Sequence, residues 1–240
     1  NGIPFETAII EENNFSRTYK YYMLGFNKLQ AGDKMSGRHG NKGVVSKVLP
    51  DSQAFQLMNG LTVEFVLNPC GIPSRMNLGQ ILDAHAGLIA TVLGIRIDVN
   101  SFNDASNEDL SLLMHYAYDL ANTESIGPVK GPYNRAAFFA VCHKPEYSEL
   151  PEALHNFVWN NVANIVDWRG TFDEKGEAEL YDPITGTMLE GRATIGYPTF
   201  FKLMQEADEK INARSGPLDE QYARTSSQPQ KAFDSAKGQR

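Results

Sequence analysis

Apolar residues in the first hundred positions fall into short runs that glycine, proline, asparagine and aspartate interrupt. Three runs are rich in β-branched and aromatic residues, which favour strands, and they cover 18–26, 44–49 and 61–67. One longer segment repeats apolar residues and one histidine at helical spacing: Leu78, Ile81, Leu82, His85, Leu88, Ile89 and Val92. We expect Asn77 to cap the start of this helix and Gly94 to end it.

The middle of the chain follows a helical pattern. Ser106 precedes an acidic first turn, and apolar residues then mark one helical face at Leu110, Leu113, Ala117 and Leu120. The pattern predicts a strand over 135–142 and a second helix over 151–168. The region 100–170 is therefore predicted to be an insertion or a peripheral layer.

The last part of the chain returns to strands and turns. Residues 181–186 have the composition of a turn, and a helix is predicted over 198–213, ending near Gly216. The tail at 216–240 is polar and has few apolar residues, so we expect it to dock on a partner. Together these elements predict an α+β fold.

Length and composition limit the class of protein. A chain of 240 residues with 42% apolar content can bury a substantial core, as one large domain or one domain carrying an insertion. No apolar run approaches the ~18 residues of a membrane span, and the first residues lack a signal-peptide pattern. We therefore expect a soluble, intracellular protein. Cys70 and Cys142 lack the paired spacing of a zinc site, so both are expected to be reduced thiols.

Positive charge is concentrated in one part of an acidic chain. The net charge of −7 argues against a protein that coats nucleic acid through bulk charge. Yet five Lys or Arg and one Asp occur from Lys28 to Lys47, whereas six acids and no Lys or Arg lie between Arg96 and Lys130. This distribution fits a protein that holds phosphates at one place.

The segment 32–43 contains four glycines and the cationic or potentially cationic side chains of Lys34, Arg38, His39 and Lys42. Glycine permits close approach of the backbone to a ligand, and lysine and arginine supply charge and donors, as phosphate binding requires. The spacing is not that of a Walker A loop, and no Ser or Thr follows Lys42. The alternative is a tight glycine turn with solvated charges.

A second candidate anion site is the segment 68–77. Two prolines stiffen it and Gly71 lets it turn, so we expect Ser74 and Arg75 to lie at the N-terminus of the helix that begins near Leu78. Arginine offers a planar fork of donors to a phosphate. The alternative is that Arg75 caps local carbonyl groups.

The two strings GDKMSGRHGNKG (32–43) and NPCGIPSRMNLGQILDAH (68–85) resemble the catalytic-core region of the β subunit of multisubunit DNA-directed RNA polymerases. Shorter similarities occur at 1–10, 180–186, 194–197, 212–215 and 228–240. The resemblance therefore spans the chain except for about 95–170.

The resemblance implies a double-psi β-barrel core with inserted or peripheral helices, facing a second barrel in the β′ subunit. Residues 1–99 would form the first part of the barrel and 100–170 a helical insertion. Residues 171–215 would complete the barrel and add a helix, and 216–240 would be the polar tail that docks on the partner subunit.

The resemblance also implies roles for individual residues. Lys34 and Lys42 would be the catalytic residues that touch the RNA 3′ end and the phosphates of the incoming nucleotide. The remaining substrate-binding residues would be Arg38, His39, Asn41, Ser74, Arg75 and Lys231. Glu6 would lie near the second magnesium ion as a weak or indirect ligand. For His39, a turn-stabilising role is an equal alternative.

The function implied is that of a nucleotidyltransferase that is active only within a complex. The chain has no Asp-x-Asp-x-Asp, so Mg²⁺ would be held mainly by the aspartate triad of a β′-like subunit. Other partners would be the remaining part of β, the DNA template, the RNA transcript and NTPs, in the bacterial cytoplasm or an infected host cell. The alternative is a non-catalytic double-psi-barrel adaptor that binds nucleotides or nucleic acid.

Three departures from the family pattern suggest a diverged polymerase. Thr7 stands where the family has Asp, and Asn212 replaces a histidine. Between Asn14 and Gln30 there is almost no room for the long flap of the relatives. A split β subunit encoded by a large bacteriophage fits these departures, and a fragment of a cellular subunit is the alternative.

Other histidines and the tryptophans suggest structural roles. His85 lies on an apolar helix face, where we expect a core histidine with its hydrogen bonds satisfied. His115, His143 and His155 share no metal-ligand spacing, and we expect the remaining aromatic candidates to be core or interface residues: Phe157, Trp159 and Trp168.

Overall fold

The computed structural model describes residues 3–12, 16–99, 106–204 and 207. The chain forms two compact units. The first unit takes residues up to Asp33, Val44–Val48 and the segment from Gln205 onward. The second takes Lys34–Gly43 and Leu49–Met204.

The described residues contain both helices and short strands. The helices are α1 Gly71–Arg75, α2 Gly79–Leu93, α3 Asn107–Asn122, α4 Arg135–Cys142, α5 Glu152–Trp159 and α6 Val162–Asp167. The strands are β1 Ile3–Glu12, β2 Arg17–Leu24, β3 Lys34–Ser36, β4 Gly43–Val44, β5 Glu177–Ala178, β6 Tyr181–Asp182, β7 Thr187–Met188, β8 Ala193–Thr194 and β9 Phe201–Lys202. The predicted α+β class is confirmed at this level.

The first unit contains the antiparallel pair β1–β2, whose register runs from Ile3↔Leu24 to Glu12↔Arg17 with two irregularities. The first unit also contains a buried carboxylate. Asp33 is 2% exposed, and its two carboxylate oxygens accept from the backbone N–H groups of Gln30 and Ala207 at 2.8 and 2.9 Å. These bonds satisfy a charge whose burial would otherwise be costly.

The core of the second unit is mainly helical. Helix α3 packs against α2, α4 and α6, and α4 also packs against α5. Sequence analysis places α3–α6 in an insertion or peripheral layer, yet these helices supply much of the buried apolar surface among the described residues. The largest fully buried side chains include Leu88, Tyr116, Leu120, Phe138 and Ile165.

Helix α3 begins where the sequence predicts it. Ser106 accepts a hydrogen bond from the Asp109 backbone, and the Asp109 side chain accepts one from the Ser106 backbone, each at 3.1 Å. This reciprocal pair satisfies two N–H groups that the helix start leaves unpaired. The preceding helix, α2, ends at its predicted position, because Gly94 adopts the left-handed conformation that terminates it.

The predicted strand over 135–142 is wrong, because this segment is helix α4. The Asn134 side chain accepts from the N–H groups of Ala136 and Ala137 and starts the helix. Phe138, Val141 and Cys142 are then buried on one face at helical spacing. The single helix predicted over 151–168 is likewise two helices, α5 and α6, separated by two asparagines.

Other boundaries also differ from the predictions. The strand predicted over 44–49 is limited to β4, and the one over 61–67 is reduced to a bridge between Thr62 and Gln56. Residues 198–204 are not helical and contain β9, while most of the remainder of that predicted helix lies outside the described residues. The turn over 181–186 is confirmed as the connection of the β6–β7 hairpin.

The strands of the second unit pair antiparallel: β5 with β8, β6 with β7, and β3 with β9, which is distant from it in the chain. The segment 55–63 forms a hairpin that bonds to β6 through Gln56 and Tyr181. In the described part of the chain, no helix has the length and apolar character that a membrane crossing requires.

Candidate functional site

The glycine- and lysine-rich loop begins at β3 and closes on itself. Leu203 N–H donates to the carbonyl of Lys34 at 2.8 Å and fixes the start of the loop on the segment of β9. Asn41 Oδ1 then accepts from the His39 backbone at 3.3 Å. The Asn41 side chain lies against Gly37, where a Cβ would be only 2.6 Å from Asn41 Oδ1. Gly37 therefore leaves room for the Asn41 side chain, and Asn41 serves the loop's own geometry.

His39 joins this loop to the start of α2. Its carbonyl accepts from Asn77 Nδ2 at 3.5 Å, and its ring lies against Gly79, the first residue of the helix. A Cβ on Gly79 would be 2.7 Å from His39 Nδ1, so the close approach depends on glycine. The structure thus brings together the two segments that the sequence predicts as anion sites.

Ser74 and Arg75 do not lie at the N-terminus of α2, as predicted, but in a short helix of their own, α1. Met76 ends α1 in a left-handed conformation at φ 53°, and α2 begins three residues later, at Gly79. The Ser74 hydroxyl donates to the Cys70 carbonyl at 3.1 Å, which uses its proton within α1. Arg75 is exposed at the last turn of α1 and has no described hydrogen-bond partner.

Asn77 also differs from its predicted role as the N-cap of α2. The residue at that position is Leu78, and no side chain accepts from the first N–H groups of the helix. The Asn77 side chain instead spans outward to His39 and accepts from Gln80 Nε2 at 3.1 Å. It therefore connects the loop to the helix, and α2 begins without a side-chain cap.

Exposure differs among the candidate phosphate ligands. Lys34 is half-buried in β3. Four side chains of the loop and of α1 are exposed: Arg38, His39, Lys42 and Arg75. Exposed cations on two segments in contact form a surface that can bind an anion with several phosphates.

Arg38 makes a contact that sequence reasoning missed. Its Nη2 donates to Thr199 Oγ1 at 2.8 Å, and the Thr199 backbone N–H donates to Asp83 Oδ2 at 3.4 Å. All three residues line a cleft of about 150 Å³ whose floor includes Gly87 of α2. A glycine inside a helical pattern signals close packing, and this was the available sign of the contact.

Two predicted site residues do not belong to the described residues of the second unit. Glu6 is exposed on β1 in the first unit, opposite Tyr22 in the strand register. Lys231 lies outside the described residues, as does Asn212.

The described residues do not by themselves fit a magnesium site. Among residues 3–12, 16–99, 106–204 and 207, no group of three or more His, Cys, Asp or Glu is placed to hold a metal ion. Glu6 offers one exposed carboxylate, whereas Mg²⁺ prefers octahedral oxygen coordination. No catalytic step is therefore derived through a metal held by this chain.

His85 is not the fully satisfied core histidine that the sequence predicts. It is half-buried, and its Nε2 has no described hydrogen-bond partner, although it lies beside Gly176 and Met114. Burial lowers the pKa of His85, and the nearby Glu177 carboxylate opposes this shift.

Of the two tryptophans, Trp168 is buried in the core and Trp159 is packed against it, as expected.

A buried polar cluster inside the helices was also missed. The Tyr116 hydroxyl lies 2.8 Å from His155 Nδ1 and 3.2 Å from Cys142 Sγ. Burial raises the pKa of the Cys142 thiol, which keeps it protonated and unreactive. Burial, and then His143, lower the pKa of His155. Tyr116, His155 and Cys142 therefore meet one another's hydrogen-bonding needs inside the core. They take no part in the loop–helix junction, where His39 contacts Asn77 and Gly79.

Comparisons with known proteins cover the segments described above. The family described as RNA polymerase Rpb2, domain 6 matches residues 6–231. A DNA-directed RNA polymerase subunit beta from Orientia tsutsugamushi (strain Boryong) is 35% identical over 222 residues, which cover 89% of this chain and 16% of the relative. The subunit beta of Dinoroseobacter shibae is 38% identical over 219 residues, covering 88% of this chain and 15% of the relative. That of Geobacter metallireducens is 34% identical over 222 residues, with the same coverage.

The chain therefore spans about one sixth of the length of the curated relatives it matches. The matched region includes both segments of the loop–helix junction, and it also includes α3–α6. Because the match covers most of the chain, the chain belongs to the family of RNA polymerase Rpb2, domain 6.

Proposed function

We propose that this chain is the catalytic-core part of a β-type subunit in a multisubunit DNA-directed RNA polymerase. In this role it positions the RNA 3′ end and the incoming NTP for phosphodiester bond formation. The observation that carries the proposal is the contact of the loop at 34–43 with the start of α2 through His39, Asn77 and Gly79. That contact joins two segments that each carry exposed cations, which supports the proposal.

Phosphoryl transfer explains why such a surface is useful. The reaction needs fixed positive charge around phosphates whose negative charge is redistributed, and it needs no nucleophilic side chain from the protein. Lys42 and Arg75 are exposed and can meet phosphate oxygens without first leaving a buried position. We assign Lys34 and Lys42 to the RNA 3′ end and the nucleotide phosphates, and Arg75 to the triphosphate.

The remaining candidates have supporting tasks in this proposal. Ser74 would donate to a phosphate oxygen by turning its hydroxyl proton away from the Cys70 carbonyl. His39 and Asn41 shape the loop through their backbone and side-chain bonds, and each can add a contact to a phosphate. Arg38 has further N–H donors besides the one that bonds Thr199. Lys231 is retained as a substrate-binding candidate.

Magnesium and the partner subunits complete the proposal. Mg²⁺ would neutralise phosphate charge and be held mainly by an Asp-x-Asp-x-Asp of a β′-like subunit, since this chain has no such sequence. Glu6 would be at most an indirect ligand of a second ion. The fold would be a double-psi β-barrel formed by 1–99 and 171–215, with 100–170 as the helical insertion. The tail 216–240 would dock on the partner, and the enzyme would act in the bacterial cytoplasm or an infected host cell.

Substitutions in the assembled enzyme test the phosphate assignment. Lys34→Ala and Lys42→Ala should each lower the rate of single-nucleotide addition by at least about tenfold, the loss expected when a phosphate-contacting charge is removed. Lys130→Ala is the matched control, because Lys130 is an exposed lysine in a loop between α3 and α4. Nucleotide addition within a few-fold of wild type for both loop variants would show that these lysines do not contact the reacting phosphates.

Purification of the chain with its native partners separates a polymerase subunit from a non-catalytic adaptor. A complex that contains an Asp-x-Asp-x-Asp subunit and extends RNA supports the proposal. Recovery of the chain as a stable monomer, with no such partner, would favour the adaptor.

A further inference from the structure

Arg38 ties the loop at 34–43 to a second segment of the second unit, in addition to the contact made by His39. Its guanidinium reaches Thr199, which lies 161 residues further along the chain, through the 2.8 Å bond to the hydroxyl. The Thr199 backbone N–H in turn donates to Asp83 on α2 at 3.4 Å. Arg38, Thr199 and Asp83 therefore form a chain of contacts from the loop to the helix.

The segment that carries Thr199 is itself held firmly on α2. Tyr197 N–H donates to the Ala84 carbonyl at 3.2 Å. A Cβ on Gly196 would overlap the Ala84 carbonyl, and a Cβ on Gly87 would overlap the Tyr197 carbonyl. The backbone of residues 196–197 packs directly on the backbone of α2, so Thr199 contacts Arg38 from a closely packed segment.

In the described part of the chain, three contacts tie the loop to other segments of the second unit. Lys34 is bonded at β3 through Leu203, His39 is bonded and packed at Asn77 and Gly79, and Arg38 is bonded at Thr199. Of these three, only the Arg38 contact is made by one exposed side chain to another. A single conservative substitution can therefore remove it without disturbing the core.

We infer that Thr199 and Asp83 are positioning residues, which hold Arg38 and so fix the loop that presents Lys42 to the nucleotide phosphates. This inference rests on the proposed function. A flexible lysine side chain binds a phosphate more tightly when its backbone is already in place, because less ordering free energy is lost on binding. Without the Arg38 contact, the loop keeps its contacts at Lys34 and His39 but is less ordered, so more of the ordering cost falls on nucleotide affinity.

The test uses the assembled polymerase that contains this chain, with KM for NTP and kcat measured in single-nucleotide addition. Thr199→Val removes the hydroxyl acceptor at nearly constant shape, and it should raise KM at least about threefold while kcat changes less than about twofold. Thr199→Ser keeps the hydroxyl and should restore KM to within about twofold of wild type. Thr194→Val is the matched control, because Thr194 is an exposed threonine in β8 with no described side-chain hydrogen bond.

A double-substitution cycle shows whether Thr199 acts through Arg38. Arg38→Ala combined with Thr199→Val should have the same KM as Arg38→Ala alone, since the same contact is lost in both cases. Multiplying effects would mean that Thr199 acts independently of Arg38 and would overturn the inference. Asp83→Ala is a second route to the same contact and should raise KM in the same direction, with a smaller change because its bond is longer.

Hydrogen exchange in the assembled enzyme gives a readout that activity does not. Thr199→Val should speed exchange of the backbone amides at 37–43, and Thr199→Ser should not. Unchanged exchange and unchanged KM in Thr199→Val, with Lys42→Ala strongly impaired, would overturn the positioning role and leave the proposed function standing. If Lys42→Ala were also unimpaired, the proposed function would fail together with this inference.

Discussion

The backbone of Gly87, in the middle of α2, lies directly against the carbonyl group of Tyr197. A Cβ at Gly87 would overlap that carbonyl, and a Cβ at Gly196 would overlap the carbonyl of Ala84. Two glycines on opposite sides of one contact thus let a helix and an extended segment meet without side chains between them. Because α2 also packs against His39 at its start, this contact fixes the helix relative to Thr199 and to the loop at 34–43.

Gly87→Ala should destabilise the chain by about 1–3 kcal/mol, because the added methyl group forces backbone apart in a tightly packed region. Gly71→Ala is the matched control, since Gly71 is also helical and a Cβ there meets no atom within 4 Å. That control should be neutral or stabilising by up to about 1 kcal/mol. Urea unfolding of the full chain, followed by tryptophan fluorescence, measures both. Equal effects of the two substitutions would contradict the close contact.

Arg169 is expected to be a large contributor to the stability of the helical core. Its guanidinium donates to the carbonyls of Ala121, Thr123 and Gly127 at 3.0–3.1 Å, where α3 ends and leaves its last carbonyls without helical partners. Arg169→Ala should lower the free energy of unfolding by about 2–3 kcal/mol, since charge-assisted bonds are lost and partly buried acceptors are left unpaired.

The control for Arg169 is Arg96, an arginine whose side chain is 86% exposed and pairs only with the nearby Asp98. Arg96→Ala should change the free energy of unfolding by less than about 0.5 kcal/mol, as is usual for surface ion pairs. Chemical denaturation of the two variants under identical conditions makes the comparison. A loss at Arg169 no larger than the loss at Arg96 would show that the three carbonyl bonds contribute little.

Acidification should destabilise the helical core through His155. Burial, followed by the charge on His143, lowers the pKa of His155 below its ordinary value of 6.5. The unfolded chain then binds the proton more readily than the folded chain. Stability is full above pH 6.5 and is lost as the pH falls through 6.5 toward the folded-state pKa. At pH 5.5 the loss from one such histidine cannot exceed about 1.4 kcal/mol.

The pH prediction is checked by urea unfolding at pH 7.5 and 5.5. His155→Gln removes the titrating group and should reduce the difference between the two pH values. Burial also lowers the pKa of His85, so part of the pH dependence should remain in the His155→Gln variant. An undiminished difference in His155→Gln would mean that His155 does not titrate differently on folding. Trp159 and Trp168 both belong to the helical region, and they report on its unfolding directly.

The two cysteines should differ sharply in reactivity. Cys70 is exposed at the N-terminal end of α1, four residues before Ser74, whereas Cys142 is 1% exposed and burial raises the pKa of its thiol. Within this chain of the assembled enzyme, a bulky maleimide should therefore label Cys70 and leave Cys142 unlabelled. The adduct should block nucleotide addition, and bound NTP should slow the labelling.

Cys70→Ser is the control for the labelling experiment, because it removes the reactive thiol at nearly constant size. The reagent should leave the activity of this variant unchanged. Full activity of wild-type enzyme labelled quantitatively at Cys70 would place the triphosphate away from α1. Mass spectrometry identifies which cysteine has reacted.

Local sequence predicts the elements whose signals are complete within a few residues. Ser106 and Asp109 form the expected capping box, and Gly94 ends α2 where a left-handed residue is needed. Over 135–142 an aromatic and aliphatic run resembled a strand, but the Asn134 cap three residues ahead of Ala137 decided for helix. The strands predicted over 44–49 and 61–67 are reduced to β4 and to one bridge from Thr62 to Gln56, because an apolar pattern does not specify how far strand pairing extends.

In the candidate site, too, local features can be predicted from the sequence and long-range contacts cannot. The chemistry proposed for Lys42 and Arg75 can be predicted from the sequence, because glycine and cations occur together there and can serve phosphate binding. Their relation depends on His39 meeting Gly79, forty residues away, and the Arg38–Thr199 contact spans 161 residues. Contacts of this range leave no periodic signal, although Gly87 within a helix marked one of the places where backbone meets backbone.

The most direct measurement of the central claim is covalent trapping at the RNA 3′ end. An RNA whose 3′-terminal ribose is oxidised to a dialdehyde forms an imine with a lysine amine within reach, and borohydride reduces the imine to a stable amine. In the assembled enzyme on a DNA template, mass spectrometry should find the adduct on Lys34 or Lys42, and Lys42→Arg should lower its yield. Adducts confined to lysines outside the loop, such as Lys130 or Lys175, would contradict the account.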